Sequence, residues 1–313
     1  MRVIFLGTPD FGIPALKRLI AEGHEVLCVV TQPDRPQGRK MVLTPCAMKQ
    51  AAQALGLPVF SPEKINSEES LAYLASLNAD VMVTAAYGQI LRKKILSMTP
   101  YGIVNIHGSL LPRYRGAAPI QWALIDGEKE TGVTTMQTER GVDTGAILVV
   151  KKLAIADTDT AETLFAKLSD LGADAIAETL SRLEAGTLTP VPQDESLATH
   201  CRMLEKSDGY LDFADSARAL SCRIRGVTPW PGAQALLRGK AVKILEAEAV
   251  EGGAKGEPGA ILSLGETIDV AAGSGVLRIR RLQEAGKKPN SAAEYLRGHA
   301  LTAGEKFESL KEE

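Results

Sequence analysis

The residues whose types and spacing could do chemistry gather in one stretch, Asn105-Ile-His-Gly-Ser-Leu-Leu-Pro-Arg-Tyr-Arg-Gly116. Gly102, Ile103, Val104 and Ile106 predict a short buried strand, and residues two apart on a strand project from one face. Asn105 and His107 therefore stand side by side as an amide and an imidazole. That pairing suits acyl transfer, because an amide N–H and an imidazolium can hold a carbonyl oxygen as negative charge develops on it. The carboxylate that completes the set is expected at Asp143, in the glycine-bracketed loop Arg140-Gly-Val-Asp-Thr-Gly145 between the strand-like runs 132–138 and 147–153. Each of the three alone reads as a side chain satisfying a loop or a turn. Their joint occurrence points to a site.

The elements that must position them follow an α/β pattern. Residues 3–7 predict a first buried strand, 8–12 a tight turn into a helix carrying Phe11, Leu16, Leu19 and Ile20 inward, and 26–31 a second strand. Helical spacing over 47–55, a short strand at 58–60, a helix capped by Ser67 and a buried strand at 79–85 continue the alternation, which implies a doubly wound, mostly parallel sheet. The first turn is not G-x-G-x-x-G, so a dinucleotide site is not expected. Tyr87 and Gly88 follow the end of the 79–85 strand, where such sheets bind ligands. After His107, Gly108 and Ser109 open a loop, and a helix starts near Ala118 with Pro119 in its first turn. Asp159 and Glu162 predict a capping box for a long helix that ends by Gly186.

Beyond residue 188 the pattern changes. Residues 189–206, with Pro190, Pro192 and several polar side chains, predict a linker. A helix over 214–224 and five short strands near 233–238, 241–249, 259–264, 267–271 and 276–282 follow, enough for a small open barrel. The expected division is 1–188, a linker 189–206, and 207–313. The 313 residues, 45% of them apolar, can bury two cores, and no apolar run reaches membrane-spanning length. Met1 leads at once into the first strand, so no leader is expected and the chain reads as soluble and cytoplasmic. Cys28, Cys46, Cys201 and Cys222 lack metal or disulfide spacing, so no metal is expected. The net charge is only −2, yet 216–245 contains Arg218, Arg223, Arg225, Arg238, Lys240 and Lys243 with no acidic residue, and Arg278, Arg280, Arg281, Lys287 and Lys288 form a second cluster. Single-sign runs of this kind favour a phosphate-facing surface. The loop 32–43 is also basic, through Arg35, Arg39 and Lys40, and its Pro33, Pro36 and Gly38 predict an irregular exposed segment.

Asn105-x-His107, then Ser109-Leu-Leu-Pro-x-Tyr-Arg-Gly116, with Asp143 downstream, resembles the signature of enzymes that use 10-formyltetrahydrofolate. Gly7-Thr-Pro-Asp-Phe11, Thr31-Gln-Pro-Asp-Arg-Pro36, Gly38-Arg39, Gly116-Ala-Ala-Pro-Ile120 and Trp230-Pro231 make the chain similar, almost end to end, to the branch of that family acting on methionyl initiator tRNA. The resemblance implies a Rossmann-like formyltransferase domain followed by an OB-fold-like β-barrel domain, with 10-formyltetrahydrofolate as formyl donor and a bacterial cytoplasmic setting. A monomer is expected. It implies that Asn105, His107 and Asp143 are catalytic, and that Tyr87, Gly88, Ser109, Leu110, Leu111, Pro112, Tyr114, Arg115 and Gly116 line the folate site. Arg39, Lys40, Arg223, Arg225, Arg278 and Arg280 are the expected tRNA contacts. The three catalytic residues do not by themselves distinguish a tRNA acceptor from an amino-sugar nucleotide, a glycinamide nucleotide or water. The basic loop and the basic second domain favour tRNA. A noncatalytic RNA-binding protein would explain the basic barrel and leave the three residues unexplained.

Overall fold

The computed structural model describes residues 1–38, 41–250, 252 and 256–310. In chain order the elements are β1 (Arg2–Gly7), α1 (Ile13–Ala21), β2 (Glu25–Val30), β3 (Arg35–Gln37), β4 (Val42–Thr44), α2 (Ala47–Ala54), β5 (Val59–Phe60), α3 (Glu68–Ser76), β6 (Val81–Ala85), α4 (Lys93–Leu96), β7 (Ile103–His107), β8 (Arg115–Gly116), α5 (Pro119–Ile125), β9 (Glu130–Gln137), β10 (Ile147–Ala154) and α6 (Ala161–Glu184). There follow β11 (His200–Cys201), α7 (Ala217–Gly226), β12 (Ala233–Leu237), β13 (Lys240–Val250), β14 (Ile261–Leu264), β15 (Ile268–Ala271), β16 (Val276–Glu284), β17 (Asn290–Ser291), α8 (Ala292–Gly298) and β18 (Phe307–Glu308).

Two compact units form: Met1–Ala117 with Glu130–Ala154 and Phe165–Cys201, and Ala118–Lys129 with Ile155–Leu164 and Arg202–Glu313. The division differs from the expected one. Composition alone cannot reveal that 118–129 and 155–164 cluster with the second unit. Nor can it show that 189–201 stays with the first, because those assignments rest on long-range contacts.

The first unit is built on a seven-stranded sheet of order β10-β9-β7-β6-β1-β2-β5. β5, β2, β1, β6 and β7 are parallel, and β9 and β10 add an antiparallel edge. All five residues of β6 and five of the six in β1 are buried, the signature of a sheet covered on both faces. Ile4, Leu6, Cys28, Val30 and Met82 share one cluster with Leu74 and Ile95. Burial of each such large aliphatic side chain is worth roughly 1.5–3 kcal/mol. Long-range contacts also anchor α6: Phe165 meets Phe11 edge-on at 5.3 Å, and the Ser169 hydroxyl donates to the Phe11 carbonyl. Gly172 lets the helix approach Ile106, where an added Cβ would sit 3.1 Å from the side chain. Chain order reverses between β1 and β6, so the turns after these strands flank a switch point. Ser67 caps α3 as expected. The capping pair of α6 falls one residue later than expected: Thr160 accepts the Thr163 N–H and donates its own N–H to the Thr163 hydroxyl, while Asp159 accepts the Ala156 N–H. The 32–43 segment is more regular than expected, since β3 and β4 pair as a hairpin.

The second unit is a curled antiparallel sheet of order β14-β15-β16-β13-β12-β18. Bulges in β13 around Glu246 bend the long β13–β16 pair, and α7, capped by Ser216, packs on its apolar face through Leu220 and Ile224. The two edges meet: Ile261 N–H donates to the carbonyl of Glu305, just before β18, and Phe307 N–H of β18 donates to that of Gly259, just before β14. This closes a small β-barrel. The five expected strands are present within one to two residues, and the short β17, α8 and β18 complete the unit.

Candidate active site

β7 carries Asn105 and His107 between two neighbours, with Asn105 opposite Thr84 of β6 and Met136 of β9, and His107 opposite Thr134. The carboxamide of Asn105 is half-buried and has no hydrogen-bond partner among the described residues. A free amide at the end of a central strand is available to a ligand. His107 is only 6% exposed, and its Nε2 lies 2.9 Å from the Tyr114 carbonyl oxygen. A carbonyl only accepts, so Nε2 carries the hydrogen. Nδ1 then faces Asp143, 3.5 Å from Oδ2. The same Oδ2 accepts the Gly116 N–H at 2.8 Å.

The loop after β7 is held from beneath and from its far side. Buried Thr134 donates its hydroxyl to the Ser109 carbonyl at 2.7 Å and accepts the Leu111 N–H at 3.1 Å. The Ser109 hydroxyl closes the loop on the Arg113 carbonyl at 2.7 Å. Tyr114 N–H reaches the Thr199 hydroxyl and Arg115 N–H the Thr199 carbonyl. β8 then pairs in parallel with β11, Arg115 opposite His200 and Gly116 opposite Cys201. Gly116 sits at φ 116°, and a Cβ there would lie 2.2 Å from the Cys201 carbonyl oxygen, so the position admits only glycine.

Arg115 is 1% exposed, and each of its three guanidinium nitrogens is engaged, by Gln193 Oε1 (3.0 and 2.8 Å) and the Glu195 carboxylate (2.9 and 2.8 Å). The hydrogen bond to Glu195 raises the Arg115 pKa above its usual value and holds the Glu195 carboxyl below its own. Asp143 adopts φ 53°, a conformation rare for a side-chain-bearing residue. Its carbonyl and that of Gly145 each accept from Gln193 Nε2 at 2.8 Å.

The structure brings Asn105, His107, Asp143, Ser109, Leu111, Tyr114, Arg115 and Gly116 onto two adjoining loops and the strands β7 and β8 of the first unit. Tyr87 and Gly88 follow β6, the strand beside β7, and the Tyr87 phenol is pushed up by burial. Sequence reasoning missed Thr134, Gln193, Glu195 and Thr199. None belongs to a chemical motif, and three of them lie in the stretch expected to be a linker.

The expected tRNA contacts fall elsewhere. Arg39 and Lys40 lie outside the described residues. In the second unit Arg278 makes a two-pronged pair with Asp269, Arg280 pairs with Glu248, Arg223 reaches the Asp208 carbonyl, and Arg225 reaches those of Ala156 and Asp159. Lys240, Lys287 and Lys288 make no ion pair among the described residues. They line a cavity of about 500 Å³ with Glu284, Asn290, Tyr295 and His299.

A doubly wound sheet with an amide, an imidazole and a carboxylate at its strand ends, followed by a small barrel, is the arrangement expected of a one-carbon group transferase. The chain belongs to the formyl transferase family: residues 1–180 match the formyl transferase model and 203–300 the formyl transferase C-terminal domain. It is 46% identical over 305 residues to the methionyl-tRNA formyltransferase of Geobacter metallireducens, covering 97% of each chain. To that of Anaeromyxobacter dehalogenans it is 48% identical over 302 residues, 95% of this chain and 97% of the relative. The fold is similar to that of HypX from Aquifex aeolicus solved with tetrahydrofolic acid, with a TM-score of 0.62 and 18% identity over 95% of this chain. The match takes in 47% of HypX, so the chain spans about half of that protein. No helix among the described residues is long and apolar enough to cross a membrane.

Proposed function

We propose that this protein transfers a formyl group from 10-formyltetrahydrofolate to the free amino group of methionine esterified to initiator tRNA, supplying translation initiation, as a monomer in the bacterial cytoplasm. The observation that carries the reading is identity of 46–48% over nearly the whole chain to methionyl-tRNA formyltransferases. The placement of Asn105, His107 and Asp143 supports it.

The donor, when bound, supplies a formyl group on a folate nitrogen. The residues beside the site fit such a molecule: the half-buried Asn105 amide has no hydrogen-bond partner among the described residues, and Ile90 and Val142 expose apolar side chains in the loops after β6 and β9. Polar atoms and apolar walls of this kind suit a pterin ring. Gly88, Ser109, Leu110, Leu111, Pro112, Tyr114 and Gly116 would shape the rest of the folate site. Arg115 would shape it through its backbone, since its guanidinium is engaged.

Transfer requires that the attacking amine lose a proton, that the formyl oxygen be stabilised as charge builds, and that the departing nitrogen gain a proton. Asn105 donates its free amide N–H to the formyl oxygen. His107, with Nε2–H anchored on the Tyr114 carbonyl, uses Nδ1 to hold or move a proton beside Asp143. Asp143 orients and stabilises the imidazolium and helps to remove the amine proton.

Formyl transfer is assigned to 1–188, assisted by the bonded stretch 189–201, and tRNA binding to 207–313. Arg39 and Lys40 would face the acceptor end. In the second unit Arg223, Arg225, Arg278 and Arg280 have their charge offset or their donors engaged. We therefore place much of the phosphate contact on Lys240, Lys287 and Lys288. The test incubates the protein with 10-formyltetrahydrofolate and charged initiator tRNA and reads the aminoacyl group by mass spectrometry. Formylmethionine on the tRNA supports the reading. Free formate without it would overturn it.

A further inference from the structure

Gln193 bridges the two loops that form the candidate site with both ends of its side-chain amide, beside the direct bond from Gly116 N–H to the Asp143 carboxylate. Both Nε2 hydrogens are used, on the carbonyls of Asp143 and Gly145, and Oε1 accepts two N–H groups of buried Arg115. Arg115 precedes Gly116, whose N–H holds the Asp143 carboxylate. Gln193 thus grips Asp143 from its main chain and, through β8, from the group that binds its side chain. Asp143 needs such a grip, because its left-handed φ of 53° is unfavourable unless its surroundings impose it. The adjoining Gly145 is packed so closely that a Cβ would lie on the Gln137 carbonyl oxygen, so the loop is pinned on that side as well. Between these supports the carboxylate stands 3.5 Å from His107 Nδ1, a separation that a small backbone rotation would change.

We propose that Gln193 is a positioning residue for formyl transfer, setting the backbone of Asp143 so that its carboxylate meets His107. The proposal rests on the reading that Asp143 takes part in proton transfer, and it assigns the stretch 189–201 a share in the chemistry. Gln193→Glu separates this role from plain anchoring. Glutamate keeps the oxygen that receives Arg115 and strengthens that pairing, but it removes both donors to the loop and sets a carboxylate against two carbonyl oxygens.

The experiment compares wild type, Gln193→Glu, Gln193→Ala, Asp143→Asn and Gln193→Ala/Asp143→Asn, with kcat and KM for both substrates and a thermal melt of each. Displacement of a catalytic group by about 1 Å commonly costs on the order of a hundredfold, so both Gln193 variants should lose roughly tenfold to a hundredfold in kcat, with little change in either KM. The double variant should be no slower than Asp143→Asn alone, because groups acting as a unit are not additive. A Gln193→Glu protein that melts normally and keeps its kcat, beside a crippled Asp143→Asn, would overturn the proposal, as would losses that multiply in the double variant. A fully active Asp143→Asn would instead remove the reading beneath it. If Gln193→Ala fails to fold, Gln193→Glu still decides.

Discussion

Thr134→Val perturbs the floor of the candidate site without touching any reactive group. Thr134 is fully buried on β9 opposite His107, and valine reproduces its shape while deleting the hydroxyl. That hydroxyl donates to the Ser109 carbonyl and accepts the Leu111 N–H, so both backbone groups lose their partner where water cannot replace it. An unsatisfied buried group costs about 1–3 kcal/mol, so the pair predicts a loss of roughly 2–6 kcal/mol. Thr134→Ser keeps the hydroxyl and deletes one methyl, a loss of about 1 kcal/mol. Both tryptophans, Trp122 and Trp230, belong to the second unit, so their emission does not follow the unit that holds Thr134. Hydrogen exchange of the peptide spanning 108–116 reads the loop directly, and urea denaturation followed by proteolysis reads the first unit. The valine variant should exchange the Leu111 amide much faster and unfold at lower urea, with serine close to wild type. Equal exchange and stability for wild type and valine would refute the argument that this hydroxyl supports the loop.

Other outcomes follow from the same geometry. His107→Ala and Asp143→Asn should each lower turnover by on the order of a hundredfold, and the double variant should be little worse, as steady-state kinetics at saturating substrate will show. Neutralising Lys240, Lys287 and Lys288 to glutamine should raise the tRNA KM and flatten its salt dependence. Arg278→Gln should instead lower the melting temperature of the second unit through loss of the Asp269 pair, with less effect on the salt slope. The Glu305 carboxyl is held down to about 2, first by the Arg238 guanidinium and then by the Thr302 N–H. A depressed carboxylate contributes stability above its ordinary range, near 4.3, and loses that contribution as pH falls toward its folded value. Since Glu305 lies on the seam that closes the barrel, acid melts of the second unit between pH 5 and about 2 should flatten in Glu305→Gln. An unchanged acid limb would remove this pair from the account.

Much of the fold was legible because its signals are local. The apolar runs at β1, β6 and β7, the Ser67 cap and the five strands of the barrel each follow from short-range pattern, and the structure places them within a few residues. The candidate site's side chains were gathered for the same reason: Asn105 and His107 lie two apart on one strand, and Asp143 sits between glycines. What sequence did not disclose depends on pairings far apart in the chain. Pro190, Pro192 and the polar residues around Gln193 read as a linker, yet Gln193, Glu195, Thr199 and Cys201 bond to a loop some 80 residues earlier. The arginine clusters of the second unit read as free positive charge because the carboxylates that meet them, Asp269 and Glu248, lie on neighbouring strands. Strand register decides which charges remain free, and register is not written in any one segment.

The central claim, that Asn105, His107 and Asp143 carry formyl transfer to methionyl initiator tRNA, is tested most directly by single-turnover formylation with tRNA and donor both saturating. Wild type should convert methionyl-tRNA to formylmethionyl-tRNA, and Asn105→Ala should bind the tRNA with unchanged affinity yet react on the order of a hundredfold more slowly, the usual cost of a lost oxyanion donor. A folded, tRNA-saturated Asn105→Ala that reacts at the wild-type rate would contradict the account.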